Sequence, residues 1–585
     1  MFPLSTNMGV FDNTDPTDLS TRPINEPRPI KVIVFGAGMS GILAGILFPR
    51  SIRNLELVIY EKNADLGGTW FENIYPGIAC DIPSHTYQFS FENNTQWSSY
   101  YASGAEIQAY LKQVAAKYDA YRCMKFRHRV LKAEWQDDEG KWCVDVLNED
   151  TGGQFIDTAD IVCSATGILN HWRWPNIPNL HSFQGKLVHS AAYNPTYDLS
   201  GKRVALIGGG SSGIQILPRI QPLAKRVDHY MKGRNWIPPV GFGAEGMAEQ
   251  GGSVTTPPEY LDKFKNDPKA YLEFRRRIED VLNKPMEALY RNTDAEKMAF
   301  EACREHMRAK LAKKPEIFEA LVPDFAVGCR RLTPGPGYLE ALVEKNVAFI
   351  PTRIREVVHD GIVTEDGKKR EVDMIICATG YDDVHKQHFP VIGKNGINLQ
   401  DLWDDFPQAY LSLAPAHMPN YFCFLGPNGG AAQGSNVPFL ESAVRYVIKA
   451  IEKIQREFIK SMVPKPHLVT AFRQYIDQYF APTVFGATCN AWWKHKRAPD
   501  GRILAVWPGS QLHGSSVMAN PRWEDYEYEL RDELKGNPLA WFGNGFVKEQ
   551  LMGALTTGYL DEAYVPVENP LDEKGKEKRK EVNGQ

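Results

Sequence analysis

Apolar and polar positions along this chain change rhythm in a way that predicts its elements. The stretch "KVIVFGAGMSGILAGILF" opens as a β-branched run, breaks at spaced glycines, and resumes as an apolar stretch of helical length. Its uncharged part, Val32 to Phe48, falls short of a membrane span and is interrupted at turn spacing, so it reads as strand, turn and buried helix. The same rhythm returns in "RVALIGGGSSG". A further strand, "LELVIYEK", follows the first unit, and "RVDHYMKGRNW" occupies the same place after the second. Two more apolar strands, in "DIVCSATGILN" and "DMIICATGYDD", run from an acid into Ala-Thr-Gly at residues 165–167 and 378–380. Between about 241 and 324 the pattern turns helical, as in "PPEYLDKFKNDPKAYLEFRRRIEDVL" and "EKMAFEACREHMRAKLAKKPEIFEAL". The last fifteen residues, "LDEKGKEKRKEVNGQ", are rich in charge and poor in apolar residues, which predicts a disordered tail.

Composition narrows this picture. A chain of 585 residues is too long for one core, so two or more domains are expected. With 43% hydrophobic and 24% charged residues and a net charge of −4, it reads as globular and lacks the basic face of a nucleic-acid binder. No basic segment precedes an apolar one at the N-terminus, so no secretory signal is read. Nine scattered cysteines without a Cys-x-x-Cys pair suggest neither a disulfide framework nor a zinc site. A reducing, cytoplasmic setting without membrane or nucleic-acid partners is expected, as a monomer or weak homo-oligomer.

The glycines supply the chemistry. Gly36, Gly38 and Gly41 follow one strand and Gly208, Gly210 and Gly213 another, each with the Gly-x-Gly-x-x-Gly spacing. Such a turn lets a backbone approach a pyrophosphate and offers it the N–H groups of the next helix, in the second case starting at Ser211 and Ser212. After the first unit, Glu61 ends a strand where a carboxylate accepts from ribose hydroxyls and repels a 2′-phosphate; after the second, Lys232 and Arg234, flanking Gly233, would pair with one. The first site is therefore expected to hold FAD and the second NADPH. The fold expected is α/β, with two Rossmann-like three-layer dinucleotide-binding domains and a helical insertion. The expected segments are an N-terminal arm (1–30), the FAD domain (31–170 and 371–570), the NADPH domain (171–240 and 325–370), a helical insertion over 241–324 capping the NADPH domain, and the tail (571–585).

Without a dithiol, electrons passed from NADPH to a flavin have molecular oxygen as their expected acceptor, and reduced oxygen requires a nearby cation. In "AVGCRRLTPGPGYLEAL" the neighbours Arg330 and Arg331 point to opposite sides of an extended chain, one toward each nucleotide. Cys80 reads as a packing residue, and His85 and His171 as local hydrogen-bonding groups.

The stretch "GGTWFENIYPGIACD", Gly67 to Asp81, resembles a signature of the Baeyer–Villiger monooxygenases, and "FQGKLVHSAAY" resembles their linker fingerprint through Phe183, Gly185 and His189. The resemblance runs from about Val32 to Leu530. It implies an enzyme that uses NADPH, FAD and O2 to insert oxygen beside a ketone carbonyl through a flavin peroxide, giving an ester or lactone from a small-molecule ketone. Carried over by position, Arg331 is the catalytic arginine, Asp81 the acid that orients it, and His189 a hinge residue coupling NADPH binding to flavin chemistry. Gly68, Thr69, Trp70, Tyr87 and Val130 join the FAD site; Arg330, Lys232 and Trp492 join the NADPH site. Tyr193 stands where the fingerprint has Trp, as in N- or S-oxygenating flavin-containing monooxygenases, which form the alternative reading.

Overall fold

In the computed structural model of the chain, the described residues are 23–239, 248–250, 253–284, 287–382, 385, 388–495, 501–531, 537, 539–554, 557 and 560. Most of the N-terminal arm and all of the tail expected to be disordered lie outside them. The chain divides into two compact units, Pro29–Ile451 with Ser461–Tyr528, and the remaining terminal residues with Glu452–Lys460. Among the described residues no helix is long and apolar enough to cross a membrane.

The larger unit carries two sheets built on one plan. Strand β1 (Ile30–Phe35) runs into helix α1 (Met39–Ser51) and strand β2 (Leu55–Tyr60). After helices α2 (Thr69–Glu72) and α3 (Gly104–Lys117) come strand β3 (Met124–Lys125), an antiparallel meander β4 (His128–Gln136), β5 (Lys141–Asn148) and β6 (Gln154–Ala159), and strand β7 (Ile161–Ser164). Strand β8 (Lys186–His189) leads to β9 (Arg203–Ile207), α4 (Ser211–Ile220) and β10 (Arg226–Tyr230). A short hairpin, β11 (Ala248–Gln250) and β12 (Ser253–Thr255), precedes four helices: α5 (Pro258–Asn266), α6 (Pro268–Asn283), α7 (Asp294–Lys310) and α8 (Pro315–Leu321). Strand β13 (Val347–Ile350), a second meander β14 (Ile354–Val358), β15 (Gly361–Thr364) and β16 (Lys369–Glu371), and β17 (Met374–Cys377) complete the repeat. Further on, β18 (Val391–Ile392) joins the first meander and β19 (Tyr421–Cys423) the first sheet.

The sheets order as β19-β7-β1-β2-β3 and β8-β17-β9-β10-β13, all parallel. In each, a glycine turn leaves a strand that is paired on both sides. Its β-branched and apolar residues are buried on both faces, which explains the unbroken apolar runs. Val32 to Phe35 and Val204 to Leu206 are almost fully buried.

Four expectations are revised. The strand of the second Ala-Thr-Gly stretch, β17, is hydrogen-bonded to β8 and β9, so the second domain extends past 370; its counterpart is β7, which ends the first domain's own repeat. Residues from Glu529 onward belong to the terminal unit rather than to the FAD domain. The helical insertion is split: α7, α8 and the turn between them bury Met307, Leu311, Phe318 and Leu321 in the second domain's core. Helices α5 and α6 instead pack Phe264, Tyr271 and Phe274 against Tyr100, and Arg275 donates to the carbonyls of Gln88 and Phe89. Amphipathic spacing gives each helix an apolar face but not its destination. Finally, Cys329 and Cys489 form a disulfide across 160 residues, a pairing that sequence spacing does not reveal.

Candidate active site

Each glycine turn is closed by an Ala-Thr-Gly stretch. At Gly36, with φ 102°, a Cβ would stand 2.7 Å from the Ala165 carbonyl oxygen, and at Gly208, with φ 116°, 2.2 Å from that of Ala378. Only glycine fits either place. The third glycines, Gly41 and Gly213, let the helices sit on the turn; a Cβ on either would lie 2.1 Å from the carbonyl oxygen of the first glycine. The middle glycines differ. A Cβ on Gly210 would meet nothing within 4 Å, and one on Gly38 would meet only the Cα of Gly68, at 3.7 Å. Gly38 and Gly210 are the N-caps of α1 and α4, and neither helix has a side-chain cap or an acid in its first turn. Open backbone faces free helical N–H groups at both turns, and two dinucleotide pyrophosphates fit there.

The residues after the turns separate the two sites. Glu61, 4% exposed at the end of β2, accepts from the N–H groups of Ala37 (2.7 Å) and Asn63 (2.8 Å). Burial raises its pKa and these bonds oppose the rise. Val130, in β4 of the separate meander sheet, is buried in that meander's core. Beyond β10, Lys232 and Arg234 are exposed. Arg330 donates to the Arg234 carbonyl oxygen (2.8 Å), and its guanidinium lies 3.7 Å from where Gly233 would carry a Cβ. Three cations thus gather at the end of β10 and a carboxylate at the end of β2, the distribution that a 2′-phosphorylated and an unphosphorylated ribose require.

Arg331 turns the other way. Its Nε donates to Asp81 Oδ2 (2.5 Å) and its Nη2 to Asp81 Oδ1 (2.7 Å), a bidentate pair that leaves Nη1 without a partner among the described residues. The Asp81 charge holds the guanidinium pKa above its ordinary value against the opposing effect of burial, so Arg331 is a permanent cation. Asp81 ends the Gly67–Asp81 segment and Arg331 comes from the loop after α8, so the pair bridges the two domains. Thr69 is exposed and Trp70 buried at the start of α2, after Gly68 (φ 55°). The Trp70 ring meets Tyr87 edge-on at 5.5 Å, and burial pushes the Tyr87 phenol up.

His189 ends strand β8. It pairs with Cys377 across β8 and β17, and Trp172 stacks on its ring at 4.5 Å. Ala191 N–H donates to Nδ1 (3.2 Å), which places the proton on Nε2 beside Thr379 Oγ1 (3.3 Å). Burial lowers its pKa to about 4, so it is neutral at the end of β8. Tyr193 packs in the second domain's core against Tyr197, so its ring fills a core position. Trp492 stands beside Trp493 in the segment that the disulfide fastens next to Arg330. Lys494 is buried 3.6 Å from Cys329 Sγ, with its pKa lowered to about 8 by burial.

Sequence reading overlooked Tyr75, Gln215, Thr333 and Lys494. Tyr75 lies inside the Gly67–Asp81 stretch and Gln215 two residues past the third glycine; their significance is a hydrogen bond across 140 residues, which no local pattern carries.

Residues 29–240 match the family model described as flavin-binding monooxygenase-like. The FAD-binding monooxygenase moxY of Dothistroma septosporum is 36% identical over 533 residues, covering 90% of this chain and 83% of its own. A Baeyer-Villiger monooxygenase of Pseudomonas aeruginosa is 32% identical, covering 86% and 91%. The crystal structure of cyclohexanone monooxygenase from Rhodococcus bound to NADP+ superposes with a TM-score of 0.74 at 26% identity, covering 86% of this chain and all of that one.

Proposed function

The chain belongs to the flavin monooxygenases of Baeyer–Villiger type, dependent on FAD and NADPH, and from that premise we propose that it oxidises a small-molecule ketone to an ester or lactone. When bound, FAD accepts hydride from NADPH and delivers one atom of O2. The chain's own residues determine how that oxygen reacts. Arg331, fixed by two hydrogen bonds to Asp81, presents a preorganised positive charge whose Nη1 remains available to an oxyanion. A cation at that place would stabilise negative charge on oxygen, the condition that favours a carbonyl substrate over soft sulfur or nitrogen. Asp81 aligns the guanidinium without neutralising the free edge. Lys232 and Arg330 hold the NADPH phosphate, and His189 fastens the linker.

The Arg331–Asp81 pair is the single observation that carries this reading. Purified enzyme given NADPH, a panel of ketones and a thioether tests it by product identification, since NADPH loss alone also counts uncoupled turnover. Ester or lactone from at least one ketone, in excess over sulfoxide, is expected. Sulfoxide with no ester from any ketone would favour the N- or S-oxygenating alternative.

A further inference from the structure

Helix α4, whose N-terminus faces the NADPH site, grips both halves of the Arg331–Asp81 pair. Gln215 Nε2 donates to the Ala79 carbonyl oxygen (3.0 Å), two residues before Asp81, and Tyr75 Oη donates to Gln215 Oε1 (2.9 Å). At Gly77, between these contacts, the chain passes so close to α4 that a Cβ would lie 2.3 Å from the Gln215 carbonyl oxygen. Tyr75, from the first domain's motif, is buried in the second domain's core. One turn nearer the N-terminus, Ser211 Oγ lies 2.7 Å from Thr333 Oγ1, two residues past Arg331 and 1% exposed. Ser211 and Gln215 are four residues apart and so share one helix face. The contacts close a ring: Ser211, Thr333, Arg331, Asp81, Ala79 and Gln215, back to α4.

We infer that Gln215 is a positioning residue that registers the Arg331–Asp81 pair against the NADPH-binding helix. An inference of this kind rests on the reading of Arg331 given above. A guanidinium displaced by an ångström loses much of its effect on a developing charge, so the contribution of Gln215 acts through Arg331. Gln215→Met keeps the volume and removes both hydrogen bonds. In the FAD-loaded enzyme, it should lower ester formed per NADPH consumed by about tenfold. In the Arg331→Ala background the same substitution should have no further effect, because its route of action is gone. An equal loss in both backgrounds would mark Gln215 as merely structural and overturn the inference. Thr333→Val, which releases the other grip, should behave as Gln215→Met does, and a wild-type ratio in both variants overturns it too.

Hydrogen exchange provides a readout independent of ketone chemistry. Gln215→Met should raise exchange together over residues 75–81 and 329–333 at unchanged FAD content. Unchanged exchange in both segments overturns the Gln215 assignment itself. Raised exchange with a wild-type product ratio overturns the reading of the reaction on which it rests.

Discussion

Arg331 and Asp81 illustrate how much a single residue depends on its place. A surface pair of this kind contributes little, but this one is bidentate, bridges two domains, and leaves one guanidinium edge free. Histidines show the opposite effect of burial. His85, His189, His229 and His385 are buried, and desolvation lowers their pKa values to about 3, 4, 4 and 3. Unfolded histidine titrates near 6.5, so between that value and about 4 the unfolded chain binds more protons than the folded one. The stability these groups lend is whole above about pH 6.5 and is lost as pH falls. Each contributes at most about 1.4 kcal/mol per pH unit across that window. Urea midpoints should therefore drop steadily from pH 7 to pH 5; a flat profile would mean that these rings are protonated in the folded protein.

Elements were more legible than their partners. Both glycine turns, the strands feeding them and the amphipathic insertion follow from periodicity and spacing, because these are local properties. The destination of α5 and α6, the placement of β17 in the second sheet and the Cys329–Cys489 bond depend on contacts between distant segments, and no spacing encodes those. That disulfide joins the loop carrying Arg330 and Arg331 to the segment carrying Trp492, with the Lys494 ammonium against Cys329 Sγ. A disulfide typically stabilises a fold by roughly 2–4 kcal/mol, and that is the contribution expected here. Urea unfolding with and without a reductant checks it. Reduced wild type and the Cys329→Ser/Cys489→Ser variant should share a midpoint below that of the oxidised protein, and identical midpoints in both redox states would remove the staple from the account.

At the scale of the whole molecule, the sequence shows a duplication and the structure deepens it. Each half repeats strand, glycine helix, strand, meander and closing strand, with β7 and β17 in equivalent positions. The charge difference between Glu61 and the Lys232–Arg234 pair was readable because both lie at a fixed distance from the glycines, whereas Arg330 joined them only through the resemblance. The meeting of Asp81 with Arg331 across 250 residues was reachable only through resemblance, since it depends on how the two halves pack. The packing places a cation from one domain under the control of an acid from the other, and the proposed ketone oxidation rests on that charge. Arg331→Ala tests it most directly, with ester, hydrogen peroxide and NADPH all measured in the FAD-loaded enzyme. Ester per NADPH should fall by about a hundredfold or more, with hydrogen peroxide taking its place and FAD content unchanged. Wild-type ester yield from Arg331→Ala would contradict the account.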